Sequence, residues 1–189
     1  MKKTLLLIAF LGSSLLLKAQ STTYKAFKVD VDLGYAIPTG NSGSGTKAGV
    51  TFTIEPHYRL SDAFAVGLRF EGAGLGYVNN SGINSSVQVS ILNSYCATGE
   101  YYFVEEGFRP FAGAGMGFFT RKSLSVDSSS VASNSGNTLV SGGTKFGFFP
   151  RVGFEYGHLR VSAEYNILGN NSNYIAFKLG FFFGGGRKD

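Results

Sequence analysis

Few residues in this chain are equipped for chemistry. It holds two histidines, His57 and His158, and one cysteine, Cys96, in 189 residues. A hydrolase or acyltransferase needs an activated hydroxyl, a histidine base and an acidic residue to orient that base. His57 lies close in sequence to Glu55 and Arg59 on one face of an alternating segment, and it reads as part of a polar interior. His158 falls in a short turn. One cysteine excludes an intramolecular disulfide framework and a multi-cysteine zinc site. No His/Cys cluster or calcium-loop motif appears. Cys96 reads as a small inward-facing side chain without a redox role. Gly40–Gly45 and Gly113–Gly117 look superficially like phosphate loops, but neither is followed by Lys-Ser/Thr and a helix. No catalytic, cofactor-binding or metal-binding residue is assigned, and neither an enzyme activity nor a cofactor is expected.

The charged residues fall together on one set of strand faces. Ten are assigned to a structural charge network inside a barrel: Asp30, Glu55, Arg59, Arg69, Glu71, Arg151, Glu155, Arg160, Glu164 and Lys178. Lys28, Asp32, Glu100, Arg109 and Lys145 share the same parity. The fifteen are near balance, eight basic and seven acidic, as a salt-bridged plug requires, since an unpaired buried ion is costly. Neighbouring strands lie about 5 Å apart, so Glu55, Arg59, Arg69 and Glu71 are expected to meet across one ladder.

Eight segments with period-two alternation must position these charges. The outward apolar faces begin with Phe27, Val29, Val31, Leu33 and Tyr35, and then Val50, Phe52, Ile54 and Tyr58. The third carries Phe64, Val66, Leu68 and Phe70; the fourth runs from about Val87 to Phe103. Leu92 and Asn93 break the alternation of the fourth, which predicts a bulge there. The fifth, Phe108 to Phe119, is read with Gly113, Gly115 and Gly117 inward and Ala112, Ala114, Met116 and Phe118 outward. Phe146 to Tyr156, Leu159 to Ile167 and Ile175 to Phe183 complete the set.

Connections between segments alternate long and short. Pro38–Ala48, Gly76–Ser86, Arg121–Gly143 and Gly169–Asn173 are polar and mostly long; Ser61-Asp62, Val104–Gly107 and Gly157-His158 are tight. That alternation describes an up-and-down barrel with both termini at the tight-turn end, and Arg121–Gly143 is expected to be the most mobile loop. Aromatics gather next to the tight turns: Tyr58, Phe64, Tyr101, Phe103, Phe108, Tyr156, Phe181 and Phe183. They suit a girdle at a membrane interface.

Residues 1–20 read as a cleavable signal peptide, with Lys2-Lys3 before an apolar run too short to span as a helix. No Cys follows that run, so a lipid anchor is not expected, and residues 21–189 form the barrel domain. The chain's net charge of +5 suggests a nucleic-acid binder, but removing Lys2, Lys3 and Lys18 leaves 14 basic against 12 acidic groups. No nucleic-acid partner is expected. With 15% charged and 15% aromatic residues the chain is not a disordered one.

Period two alone does not separate a membrane barrel from a soluble one. The small residues decide it, because eight apolar faces turned inward would overfill a narrow interior. The fold class is therefore all-β: an eight-stranded antiparallel up-and-down transmembrane barrel. Thr98-Gly-Glu-Tyr-Tyr-Phe103, Phe108-Arg-Pro-Phe-Ala-Gly-Ala-Gly-Met-Gly117, Pro150-Arg-Val-Gly-Phe-Glu-Tyr156, Ser162-Ala-Glu-Tyr-Asn166 and Lys178-Leu-Gly-Phe-Phe-Phe-Gly-Gly-Gly186 carry a resemblance. Together they resemble the outer-membrane β-barrel domain family of OmpX- and OmpW-like, porin-like small barrels. The resemblance implies residence in the outer membrane of a Gram-negative bacterium, among outer-membrane lipids and after delivery to the insertion machinery. Gly184–Asp189 follows Phe183, a departure from family chains that end on an aromatic. Lipid A deacylases and palmitoyltransferases resemble the chain in architecture only. Two function classes follow: a closed monomeric barrel acting through loops on envelope structure, adhesion or an extracellular ligand, and a narrow channel for small or hydrophobic solutes.

Overall fold

Period two makes strands, and here it makes eight that close on themselves. The computed structural model describes residues 24–39, 46–81, 84–126, 138–169 and 172–188. The expected leader, residues 1–20, lies outside them. The strands are β1 (Phe27–Pro38), β2 (Thr46–Arg59), β3 (Phe64–Ser81), β4 (Asn84–Tyr102), β5 (Arg109–Val126), β6 (Thr138–Tyr156), β7 (Leu159–Asn166) and β8 (Tyr174–Gly184). Each pairs antiparallel with the next, and β8 returns to β1 from Lys28↔Gly184 to Pro38↔Tyr174. Closure gives every strand a neighbour on both sides, which removes the liability of open sheets.

Alternation then sorts the side chains. Leu33, Val50, Leu68, Tyr95, Met116, Phe146, Val152 and Phe177 stand on the outer wall, while Asp30, Glu55, Arg69, Glu100, Arg151 and Lys178 point into the lumen. In β5, Gly115 and Gly117 face in and Ala114, Met116 and Phe118 face out. All eight aromatics of the expected girdle are exposed. Both described ends of the chain lie at the rim of the tight turns, where Tyr24 bridges Arg187 and the Lys25 amide donates to the Gly186 carbonyl at 2.8 Å. The turn at Gly157-His158 joins β6 and β7 with only two residues between them. Gly157 has φ of 61° there, a conformation that glycine adopts without strain.

Three expectations need correction. No bulge interrupts β4, whose register runs unbroken from Phe64↔Tyr101 to Ser81↔Asn84. Leu92 faces inward because an apolar cluster fills that level of the lumen, with Leu75, Phe119, Leu168 and Tyr174. Register shifts lie instead between Thr46 and Gly49 in the β2–β3 pairing and between Thr120 and Lys122 in the β5–β6 pairing. Gly76–Ser86 is not a long loop either: β3 and β4 pair until only residues 82–83 separate them. The apolar-polar alternation fades there while the backbone ladder continues, since a ladder needs no apolar face. For the same reason β5 and β6 reach into Arg121–Gly143, and the remainder of that loop, 127–137, lies outside the described residues.

Val152 sits on the outer wall with 58% exposure, paired with Ala112 and Ala163. Val152→Arg is expected to cost about 2–4 kcal/mol in lipid-supported denaturant unfolding if that wall meets acyl chains near the midplane. Wild-type stability of the variant in lipid would place the residue elsewhere.

Candidate functional site

The lumen is filled by charge. Lys28, Arg59, Arg69, Arg109, Arg151, Arg160 and Lys178 are buried there with Asp30, Asp32, Glu55, Glu71, Glu100, Glu155 and Glu164, none more than 5% exposed. Parity puts them inward, and the closed ring of strands then decides which can touch.

Arg151 is the hub. From β6 its Nη2 reaches Glu55 Oε2 on β2 at 2.8 Å, and its Nη1 donates to Glu100 Oε1 at 2.6 Å. Its Nε lies 2.8 Å from Glu164 Oε1. In a ring of eight strands β2 and β6 face each other, so the Arg151–Glu55 pair spans a diameter. Arg69 on β3 pairs with Glu164 on β7, the same opposition. Lys178 Nζ lies 2.9 Å from Glu164 and also pairs with Glu71. Toward the terminal rim, Arg160 pairs with Glu100, with Glu155 at 2.8 Å and with Asp30 at 3.4 Å. Lys28 contacts Asp30 at 3.2 Å and Glu155, while Arg59 and Arg109 each reach Glu155 at 3.5 Å. Through Arg151 and Glu164 the two halves form one connected network.

The expected meeting across the β2–β3 ladder does not occur. Glu55 pairs with Arg151 and Arg59 with Glu155, while Arg69 joins Glu71 on its own strand only at 3.8 Å. Long side chains on a narrow barrel reach the far wall more readily than they fold back along the near one. All ten residues assigned to the lumen network take part in it, as do Lys28, Glu100 and Arg109. Asp32 is buried without an ion pair among the described residues, and Lys145 donates to Ser172 Oγ at 3.3 Å instead of joining the network.

Aromatic side chains inside the lumen complete the site. Parity places Tyr102 and Tyr174 inward, but no charge or motif marks their role. The Tyr102 hydroxyl lies 2.9 Å from Glu100 Oε2 and 2.8 Å from Glu155 Oε1, and accepts from Lys28 Nζ at 2.9 Å. Tyr174 donates to Glu71 Oε1 at 2.8 Å. The Arg69 guanidinium stacks 3.8 Å from the centre of Phe149, and that of Arg160 lies 4.1 Å from Phe111. Each ring has a glycine opposite it in register, Gly115↔Phe149 and Phe111↔Gly153. A Cβ at Gly115 would stand 2.3 Å from Phe149 Cζ, and one at Gly153 2.6 Å from Phe111 Cζ. Glycine makes room for the ring, and the ring supports the guanidinium.

The histidines separate cleanly. His158 sits at the rim with Nδ1 2.9 Å from the Phe182 carbonyl. His57 is inside, with Nε2 3.0 Å from Asp30 Oδ2 and 3.2 Å from Glu55 Oε1. Ligand atoms of Glu55, His57 and Glu100 lie within 4.8 Å of one another, a grouping that could hold a cation. Arg151 and Arg160 already engage those two glutamates, so a metal ion there would face fixed positive charges. Cys96 faces inward beside Arg69, its Sγ 3.9 Å from Nη2.

A closed eight-stranded barrel with an apolar wall and a packed, charged interior defines the class of small outer-membrane barrels. The chain belongs to the outer membrane protein beta-barrel domain family, whose model matches residues 4–184. Among solved structures it is similar to the Neisserial surface protein A, NspA, with a TM-score of 0.55 and 17% identity over 85% of this chain and 98% of that one. It is also similar to Ail, the attachment invasion locus protein of Yersinia pestis, with a TM-score of 0.50 and 11% identity over 85% and 99%. A looser likeness, TM-score 0.41 and 12% identity over 82% and 98%, is to the outer membrane enzyme PagL. No curated protein sequence matches.

Removing one partner of a dry ion pair strands the other. Arg69→Ala, which leaves Glu71 with Lys178 and Glu164 with Lys178 and Arg151 as ion-pair partners, is expected to lose about 3–5 kcal/mol in denaturant unfolding. A loss near the ~0–1 kcal/mol of exposed pairs would mean a hydrated lumen. Gly115→Val, which drives a side chain into Phe149, is expected to cost about 1–3 kcal/mol in the same assay. An unchanged midpoint would show that the ring has another place to go.

Proposed function

We propose that this protein is a closed, monomeric outer-membrane barrel of a Gram-negative bacterium, whose interior is structural and whose biological contacts are made by its surface-exposed hairpins. The observation that supports this reading is the diametric charge network, which crosses the lumen through Arg151–Glu55 and Arg69–Glu164 and is capped by apolar side chains around Leu92, Phe119 and Leu168. A water path would have to break ion pairs at several levels at once. The envelope roles that fit are structural support, adhesion and binding of an extracellular ligand; of these, adhesion has a counterpart in Ail, an attachment invasion locus protein. Residues 1–20 act as the leader through which the chain is exported, and residues 21–189 form the mature domain that the insertion machinery places in the outer membrane. The barrel is not an enzyme in this reading. His57 is enclosed by Asp30 and Glu55, and His158 is turned to a backbone carbonyl.

Two experiments test it. In planar bilayers the purified protein is expected to give no resolved conductance steps; steady single-channel steps would instead establish the narrow-channel reading. An epitope tag near Ser133 is expected to be labelled on intact cells. Labelling that appears only after permeabilisation would invert the topology.

A further inference from the structure

At the terminal rim the charges cease to match. Glu155 is the single carboxylate shared by Lys28, Arg59, Arg109 and Arg160. Its Oε1 is taken by Lys28, Arg160 and the Tyr102 hydroxyl, which leaves Oε2 to Arg59 and Arg109 at a loose 3.5 Å each.

The two guanidinium groups are held side by side. Tyr24 lies across both, its ring centre 4.7 Å from Arg59 Cζ and 4.3 Å from Arg109 Cζ. Tyr102 backs them at 5.8 and 4.3 Å. Their other partners are neutral carbonyls. Arg59 donates to Gly185 O, and Arg109 donates to Asp62 O at 3.0 Å and Val104 O at 3.4 Å. Arg59 is fully buried, yet its Nε has no hydrogen-bond partner. Nearby, Arg187 is occupied with Glu106 at 3.0 Å. Arg59 and Arg109, with Glu155, are among the residues around a cavity of about 260 Å³ that opens at this rim beside His158 and Phe182.

Two adjacent guanidiniums that share one distant carboxylate oxygen repel each other, and a buried donor left unmade is expensive. An oxyanion in the cavity relieves the repulsion, because guanidinium forks match carboxylate and phosphate oxygens. We infer that this mouth is an oxyanion-binding site, in which Arg59 and Arg109 hold a phosphate or a terminal carboxylate presented from the side of the chain termini. The inference does not depend on the plug's being closed, since the site lies outside the diametric pairs. The cavity exceeds the size of a bare anion, so the group is carried on a molecule at least as large as an amino acid or arrives with water.

The test uses the folded full-length barrel in detergent. Potassium phosphate is expected to raise the thermal unfolding midpoint saturably over potassium chloride at matched ionic strength. Arg109→Gln should weaken the response about tenfold or more, the loss of one charge-assisted contact. Arg121→Gln, at the opposite end of the barrel, should leave it unchanged. Arg109→Lys keeps the charge without the fork, should fold where the glutamine variant does not, and should bind more weakly than wild type. N-acetyl-Ala-Ala and its C-terminal amide identify the source: saturable binding of the acid but not the amide assigns a chain-terminal carboxylate, and phosphate alone assigns a free oxyanion. Equal effects of phosphate and chloride, or equal losses in the Arg109 and Arg121 variants, would overturn the site.

Discussion

Arg151 reaching Glu55 across the barrel is the contact on which the remaining interior depends. A guanidinium with five donors can serve three carboxylates, and from β6 it serves Glu55, Glu100 and Glu164. That geometry ties opposite walls together and joins the upper and lower charge groups. An eight-stranded barrel is wide enough for side chains to fill and too narrow for bulk water beside them. Once such a chain closes, its inward charges must satisfy one another.

The wall and the lumen impose complementary demands on the same strands. Outside, Phe, Leu, Val and Tyr cover the sheet, as at Phe70 against Tyr95 and Phe118 against Phe146, both packed edge to face. Inside, glycines alternate with arginines and aromatics. The β5–β6 pairing shows why: Gly115 and Gly153 accept the rings of Phe149 and Phe111, and those rings carry Arg69 and Arg160. Of the glycines that look like a phosphate loop in the sequence, Gly115 is the space in which the Phe149 ring stands.

Much of this was legible in the sequence, because a strand's period is two and each inward charge follows from parity. The faces of β1, β2, β3, β6, β7 and β8 can be read residue by residue, and the tight-turn rim and the position of both chain ends follow from the connectors. Pairing was not legible. Parity says that Glu55 and Arg151 face inward, but not that a side chain on β2 meets one on β6, which depends on closure and stagger. The inward place of Leu92 is not legible for a related reason: apolar residues from β1, β3, β4, β5 and β8 gather at one level of the lumen and make an inward leucine favourable. The lengths of β3 to β6 were underestimated because alternation disappears before the ladder does.

The central claim is that the cross-lumen pairs are dry and energetically coupled. A double-mutant cycle on Arg151→Met and Glu55→Gln, read by reversible unfolding in detergent or lipid, tests it most directly. A coupling above about 1.5 kcal/mol, with the double change costing less than the sum of the two single changes, is the expected result. A coupling within about 0.5 kcal/mol of zero, as for solvated surface pairs, would contradict the account and leave a hydrated lumen in its place.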